Sequence, residues 1–193
     1  MRLFLSFIAL FGMALNISAL DIPEIFGNDM ILQRNTQCKI WGWAEANHYV
    51  RIVTGWDNHC YQVKAGSDGA WKVEVKTPEA SYNTYDITFT EYRSDPEKKA
   101  KGNQPIATSV SKDVLIGEVW FCSGQSNMEM PLGGFWNCPV EGANETILES
   151  KKYNRSIRVA TIAKDGKQEP QKQVAGKWEK AEPKNASRFS ACA

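Results

Sequence analysis

Apolar and polar residues alternate along the first half of the chain and stop alternating in the second. "AWKVEVKT" places Trp71, Val73 and Val75 on one face, and "YDITFTEY" repeats the period of two, the pattern of half-buried β-strands. "CKIWGWA" and "YVRIVTGW" are two further strand candidates. Turn signals separate them: Gly55 with Asp57 and Asn58, then "GSDG" from Gly66 to Gly69, then Pro78. No helical period intervenes, so this spacing predicts an antiparallel β-sandwich, jelly-roll-like in arrangement. "RSDPEKKAKGNQP" reads as a solvated connection that closes it.

From Asp113 the rhythm changes. "DVLIGEVWFCSG" is continuously apolar, as expected of a strand buried on both faces of a parallel sheet. After a loop around Gly133 and Gly134, "EGANETILESKK" predicts a short helix with Asn144 as its cap, and "SIRVATIA" predicts the next buried strand. Strand, turn, helix, strand is a βαβ unit, the opening of an α/β domain. The N-terminus is a separate object: Arg2, the apolar run "LFLSFIALFGMAL" and the small residues of "NISAL" form a secretory signal. The expected organisation is a signal peptide over 1–19, a β-sandwich over 20–112 and an α/β region over 113–193. The expected location is secreted or periplasmic, with no stable membrane insertion after signal cleavage.

Charge changes little in this picture. The 23 Lys+Arg nearly balance the 22 Asp+Glu, for a net charge of +1, which gives no electrostatic reason to expect nucleic acid. Seven tryptophans suit both a β-rich core and a sugar-facing surface. Export permits disulfides, and Cys38 and Cys60 lie on neighbouring strand-like segments. The five cysteines are an odd number, however, and the alternative is a set mostly of free, buried thiols. No metal-ligand spacing is present and the two histidines are His48 and His59, so no metal and no cofactor is expected. Their neighbours Asn47 and Asn58 place both histidines in solvated loops.

The candidate chemistry lies in "VWFCSGQSNMEM". Ser126 is expected just past the C-terminal end of the first parallel strand, the edge where α/β sheets bind ligands. Gly124 permits a tight turn beside it. A helical turn beginning there would aim backbone N–H groups at a developing oxyanion. A hydroxyl needs a base to become a nucleophile, and the other reading of Ser126 is a helix cap or turn residue.

"GEVWFCSGQSNMEMPL" resembles the first block of SGNH-type carbohydrate esterases, specifically the sialate O-acetylesterase family. "IPEIFGNDMILQR" with "KIWGWA", "GSDGAWKVEV", "KDVLIGEVW", "IRVATIAK", "AGKWEKAEP" and "RFSA" resemble other family segments, so the similarity covers nearly all of the chain after the signal. The resemblance implies a serine esterase that removes acetyl groups from sugar hydroxyls. Ser126 would be its nucleophile, the Ser126 backbone N–H would contribute to the oxyanion hole, and the partner would be an O-acetylated sugar such as sialic acid. Gln125 and Asn127 match the motif and are expected to hold the turn through side-chain hydrogen bonds. The family's remaining hole donors and its catalytic Asp and His come from later blocks with no counterpart up to "RFSACA". The expectation is therefore a truncated SGNH-hydrolase domain, a fragment inactive on its own. The alternative is a non-catalytic carbohydrate-binding or structural β-module, resting on Trp41, Trp43 and Trp56.

Overall fold

A computed structural model describes residues 20–98 and 103–193; the signal expected over 1–19 lies outside the described residues. The alternating segments become strands. These are β1 (Ile31–Gln33), β2 (Gln37–Trp43), β3 (Tyr49–Thr54), β4 (Cys60–Lys64), β5 (Ala70–Lys76), β6 (Ser81–Tyr92) and β7 (Pro105–Gly117). Five of them form one sheet in the order β1-β7-β6-β3-β4, while β2 and β5 pair as a separate antiparallel ribbon. Val50 and Ile52 from β3, with Ile87 and Phe89 from β6, point into a core they share with Ile40, Trp71 and Val75 of the ribbon. The Trp71 and Phe89 rings meet across it at 6.1 Å.

The sheet is mixed rather than purely antiparallel. β1 runs parallel to β7 in the register Ile31↔Leu115, Leu32↔Ile116 and Gln33↔Gly117. β7 starts inside the stretch read as a connection and continues through 112/113, where the two regions were expected to meet. Two residues, Lys112 and Asp113, oppose Asp86 there, a bulge in which Asp113 adopts φ 58°.

The apolar run "DVLIGEVWFCSG" divides at Gly117. Val114, Leu115 and Ile116 are consecutively buried, because β7 has the core shared with the ribbon on one face and later elements on the other. Residues 118–123 form no strand, and Trp120 and Phe121 stand 83% and 90% exposed. The helix α1 (Ser126–Glu129) follows, then α2 (Ala143–Glu149), β8 (Arg158–Ala160), β9 (Trp178–Lys180) and α3 (Pro183–Ala186). Two expectations are corrected. The cap of α2 is Gly142, at φ 71°, with Asn144 already inside the helix. β8 pairs antiparallel with β9, so the expected βαβ unit is not formed among the described residues: of its expected first strand, 113–117 belongs to β7 and pairs with β1 and β6, and 118–123 forms no strand.

Later elements are fastened to the strand-rich part by tryptophans and charge. Trp178 Nε1 donates to the Ile25 carbonyl at 2.9 Å, and Trp41 Nε1 to that of Lys172 at 2.9 Å. Asp113 at the bulge pairs with Lys180 and, at 3.5 Å, with Arg158, while Lys180 also reaches Asp29 at 3.4 Å. Burial alone would raise the Asp113 carboxyl. The Lys180 ammonium outweighs burial, with Asp29 hydrogen bonding and Arg158 in support, and holds it below the usual carboxylate range.

Candidate active site

Ser126 is the first residue of α1, and its position is set at two places. Upstream, Val119 N–H donates to Gln33 Oε1 at 2.8 Å, and Glu118 accepts from Gln33 at 2.8 Å and from Arg34 at 2.5 Å. These bonds, first to Gln33 and then to Arg34, hold the exposed Glu118 carboxyl below its ordinary range. Downstream, the strand-like stem 130–133 is laced to 187–191. Ala191 N–H donates to the Met130 carbonyl, Leu132 N–H to Phe189 and Gly133 N–H to Ser187, each at 2.8 Å. Ser190 Oγ donates to Met128 Sδ at 3.2 Å, and Lys164 pairs with Glu129 at 2.6 Å.

Between these anchors the serine block is open. Gly124, Gln125, Ser126 and Asn127 are all exposed. The backbone N–H groups of Ser126, Asn127 and Met128 have no acceptor among the described residues, as the first turn of any helix leaves them. Ser126 Oγ likewise has no partner there. The block sits nine residues beyond the end of β7, not directly on a strand end, because the chain leaves the sheet at Gly117. Gly124 allows a close approach rather than a special backbone angle: a Cβ there would stand 3.1 Å from Met128 Cβ. Gln125 caps α1 with no side-chain hydrogen bond, and neither its amide nor that of Asn127 bonds a described residue. The turn is held by backbone bonds instead, Glu129 N–H to Gln125 O and Met130 N–H to Asn127 O, both at 3.2 Å.

Neither histidine serves this serine. His48 is not the solvated loop residue expected: its side chain is 16% exposed, and Nδ1 lies 2.7 Å from Oε1 of Glu91, which is 1% exposed. The same oxygen accepts the Glu45 N–H at 3.0 Å. Glu91 pairs with Ala107 near the start of β7, whereas Ser81 pairs with Ile116 near its end. Ten residues of β6 separate those ends, roughly 33 Å at ~3.3 Å per residue, and the serine block is fastened at the Gly117 end. His59, in the β3–β4 turn, stacks edge-on against Tyr61 at 4.5 Å.

Beside the block, between β7, β8, β9 and α3, lies an apolar cavity of about 890 Å³, walled by Leu115, Trp120, Leu132, Ile157, Trp178 and Phe189 among others. The tryptophans of the β-region are not a platform. Trp41 packs edge-on against Phe26 at 4.5 Å, Trp56 packs against Tyr85 at 6.0 Å and donates to the Lys76 carbonyl, and Trp43 is half-buried. Exposed indoles lie instead in the serine segment, at Trp120 and at Trp136, which is 102% exposed. Sequence reading passed over both, although two glycines before an aromatic pair in "GGFWN" signal a turn that shows its side chains. All five cysteines are free, Cys38 half-buried and the other four exposed, so neither the Cys38–Cys60 pairing nor a set of mostly buried thiols is present.

No family model matches the chain. Individual proteins do. A sialate O-acetylesterase from Homo sapiens is 26% identical over 163 residues, 82% of this chain and 29% of that protein. One from Rattus norvegicus is 26% identical over 141 residues, 70% of this chain and 23% of that protein. Among solved structures, a carbohydrate acetylesterase from Xanthomonas citri superposes with a TM-score of 0.73 at 25% identity, covering 90% of this chain and 35% of that one. The chain thus spans about a third or less of the length of each.

Proposed function

We propose, for a chain that is sialate O-acetylesterase-like in sequence and matches a carbohydrate acetylesterase in structure, that it carries the nucleophile-bearing portion of a carbohydrate O-acetylesterase. The observation that carries the reading is Ser126 Oγ, exposed and unbonded at the head of a helical turn whose first three N–H groups are free. In the proposed reaction Oγ forms a bond to the acetyl carbonyl carbon as its proton passes to a base. The free N–H groups face the oxyanion, and the bond from the acyl carbon to the sugar oxygen then breaks, returning the sugar as its alcohol. Water attacks the acetyl-serine, releasing acetate and restoring the hydroxyl. Gly124 lets Met128 close against the turn, and Gln125 and Asn127, unbonded internally, are free to meet the substrate.

The base is proposed to be a histidine supplied from elsewhere than His48, which is committed to Glu91, or His59, which packs on Tyr61 in the β3–β4 turn. These residues alone are therefore proposed to be inactive. The substrate is an O-acetylated sugar, with O-acetyl sialic acid the first to try, and the N-terminal apolar segment is proposed to direct export.

The test is acetate release from O-acetylated sialic acid by two proteins. One is the 193-residue chain; the other is the same chain extended by the part of the Xanthomonas citri acetylesterase that follows the matched region. Release by the extended chain alone, abolished by Ser126→Ala, is the expected result. Release that survives Ser126→Ala refutes the nucleophile.

A further inference from the structure

The stem that fixes the serine block leads directly into a second tight turn. Gly134 N–H donates to the Pro131 carbonyl at 2.8 Å, and Phe135 and Cys138 exchange both backbone hydrogen bonds at 3.1 Å. The two residues between them, Trp136 and Asn137, form the tip. Gly134 sits at φ 76°, with the position of a Cβ only 2.7 Å from the Cys138 carbonyl oxygen, so the approach to the turn is built for glycine. A backbone fixed this closely holds the Trp136 indole fully exposed, beside the half-exposed Phe135 ring.

Trp136 differs from the other exposed indole. Trp120 lies in the unladdered run 118–123 and walls the apolar cavity, whereas Trp136 is no part of that cavity. A flat ring with a negative π face, carried on a rigid tip, suits the C–H face of a pyranose, whose hydrogens are weakly positive. Preorganisation keeps the ordering cost of such a contact small. The tip and the reacting group belong to one segment, ten residues apart in the chain. Three helical steps, two turns and the short links between them put Trp136 within about 25 Å of Ser126.

We infer that Trp136 is a sugar-stacking platform that binds a pyranose ring of the acetylated glycan whose ester meets Ser126. The inference takes its ligand class from the acetylesterase reading, but its test does not depend on turnover. Binding of O-acetylated sialyllactose is measured by calorimetry on the 193-residue chain carrying Ser126→Ala, then with Trp136→Ala, Trp136→Phe or Trp120→Ala added. Trp136→Ala is expected to weaken binding about tenfold, about 1.4 kcal/mol. Trp136→Phe should recover most of it through its ring, and Trp120→Ala should leave it unchanged. Equal binding by Trp136→Ala, an equal loss in Trp120→Ala, no recovery in Trp136→Phe, or no binding by the parent chain each overturns the platform. If the platform holds while acetate release proves independent of Ser126, the catalytic reading falls and the binding site stands.

Discussion

Replacing His48 by alanine separates a structural histidine from a catalytic one. In the folded chain the Glu91 carboxylate is 1% exposed, and Oε1 receives both His48 Nδ1 and the Glu45 N–H, while Oε2 has no partner. Without the imidazole, one amide would be the sole protein donor to a carboxylate inside the core. Breaking a fully buried pair costs about 3–5 kcal/mol, but His48 lies near enough to the surface for water to enter the space it leaves. The loss of a hydrogen bond to a charged group, about 1.5–3 kcal/mol, is the better measure, and it is a large part of a domain's ~5–15 kcal/mol. Urea unfolding followed by tryptophan fluorescence on the wild type, His48→Ala, Glu91→Gln and the double variant gives the coupling directly. A coupling above about 0.5 kcal/mol is expected, since residues in contact depart from additivity by that much or more. Additive variants would refute the pairing. Acetate release by the extended chain should survive His48→Ala; a loss of turnover at unchanged stability would show that His48 acts in the chemistry.

Two further outcomes follow from the charge and thiol environments. Asp113 has a folded-state value below its unfolded value near 3.9. Its contribution is therefore present above about pH 3.9 and is lost as pH falls through the lower folded value; melting temperatures measured from pH 6 to pH 2 should fall less steeply below pH 4 in Asp113→Asn than in the wild type, and parallel curves would contradict the Lys180 pairing. Burial pushes the Cys38 thiol up, against the opposing effect of its hydrogen bonds with Thr77 and with the Gln33 backbone, so a thiol-specific chromogenic reagent should titrate four cysteines quickly and Cys38 slowly, and five equal rates would contradict its burial.

The strands were legible where one face of the chain meets the core and the other meets water. Trp71, Val73 and Val75 alternate because β5 has a single buried face, and Ile87 and Phe89 do the same in β6. β7 was harder to read, since over "PIATSVSKD" Ile106 and Val110 face outward while Ser111 is buried, and its pairing with β1 joins residues more than eighty positions apart. The run "DVLIGEVWFCSG" shows the limit of composition: burial on both faces is real for Val114 to Ile116, yet the same apolar character continues through Trp120 and Phe121, which nothing described covers. The helical turn beginning at Ser126 was legible from the glycine and polar residues around it, because a motif records backbone needs locally. His48 was misread because Asn47 beside it suggested a loop, which is correct for the backbone. The burial comes from Glu91, forty-three residues away.

The most direct measurement is the site of acetylation. The 193-residue chain and its extended form are mixed with an activated acetyl ester, quenched within seconds, digested and analysed by mass spectrometry. The account predicts an acetyl group on the Ser126 peptide of the extended chain, absent from Ser126→Ala and not enriched in the unextended chain. Acetate release by the extended chain with acetyl on another residue, or rapid labelling of Ser126 without the extension, would contradict it.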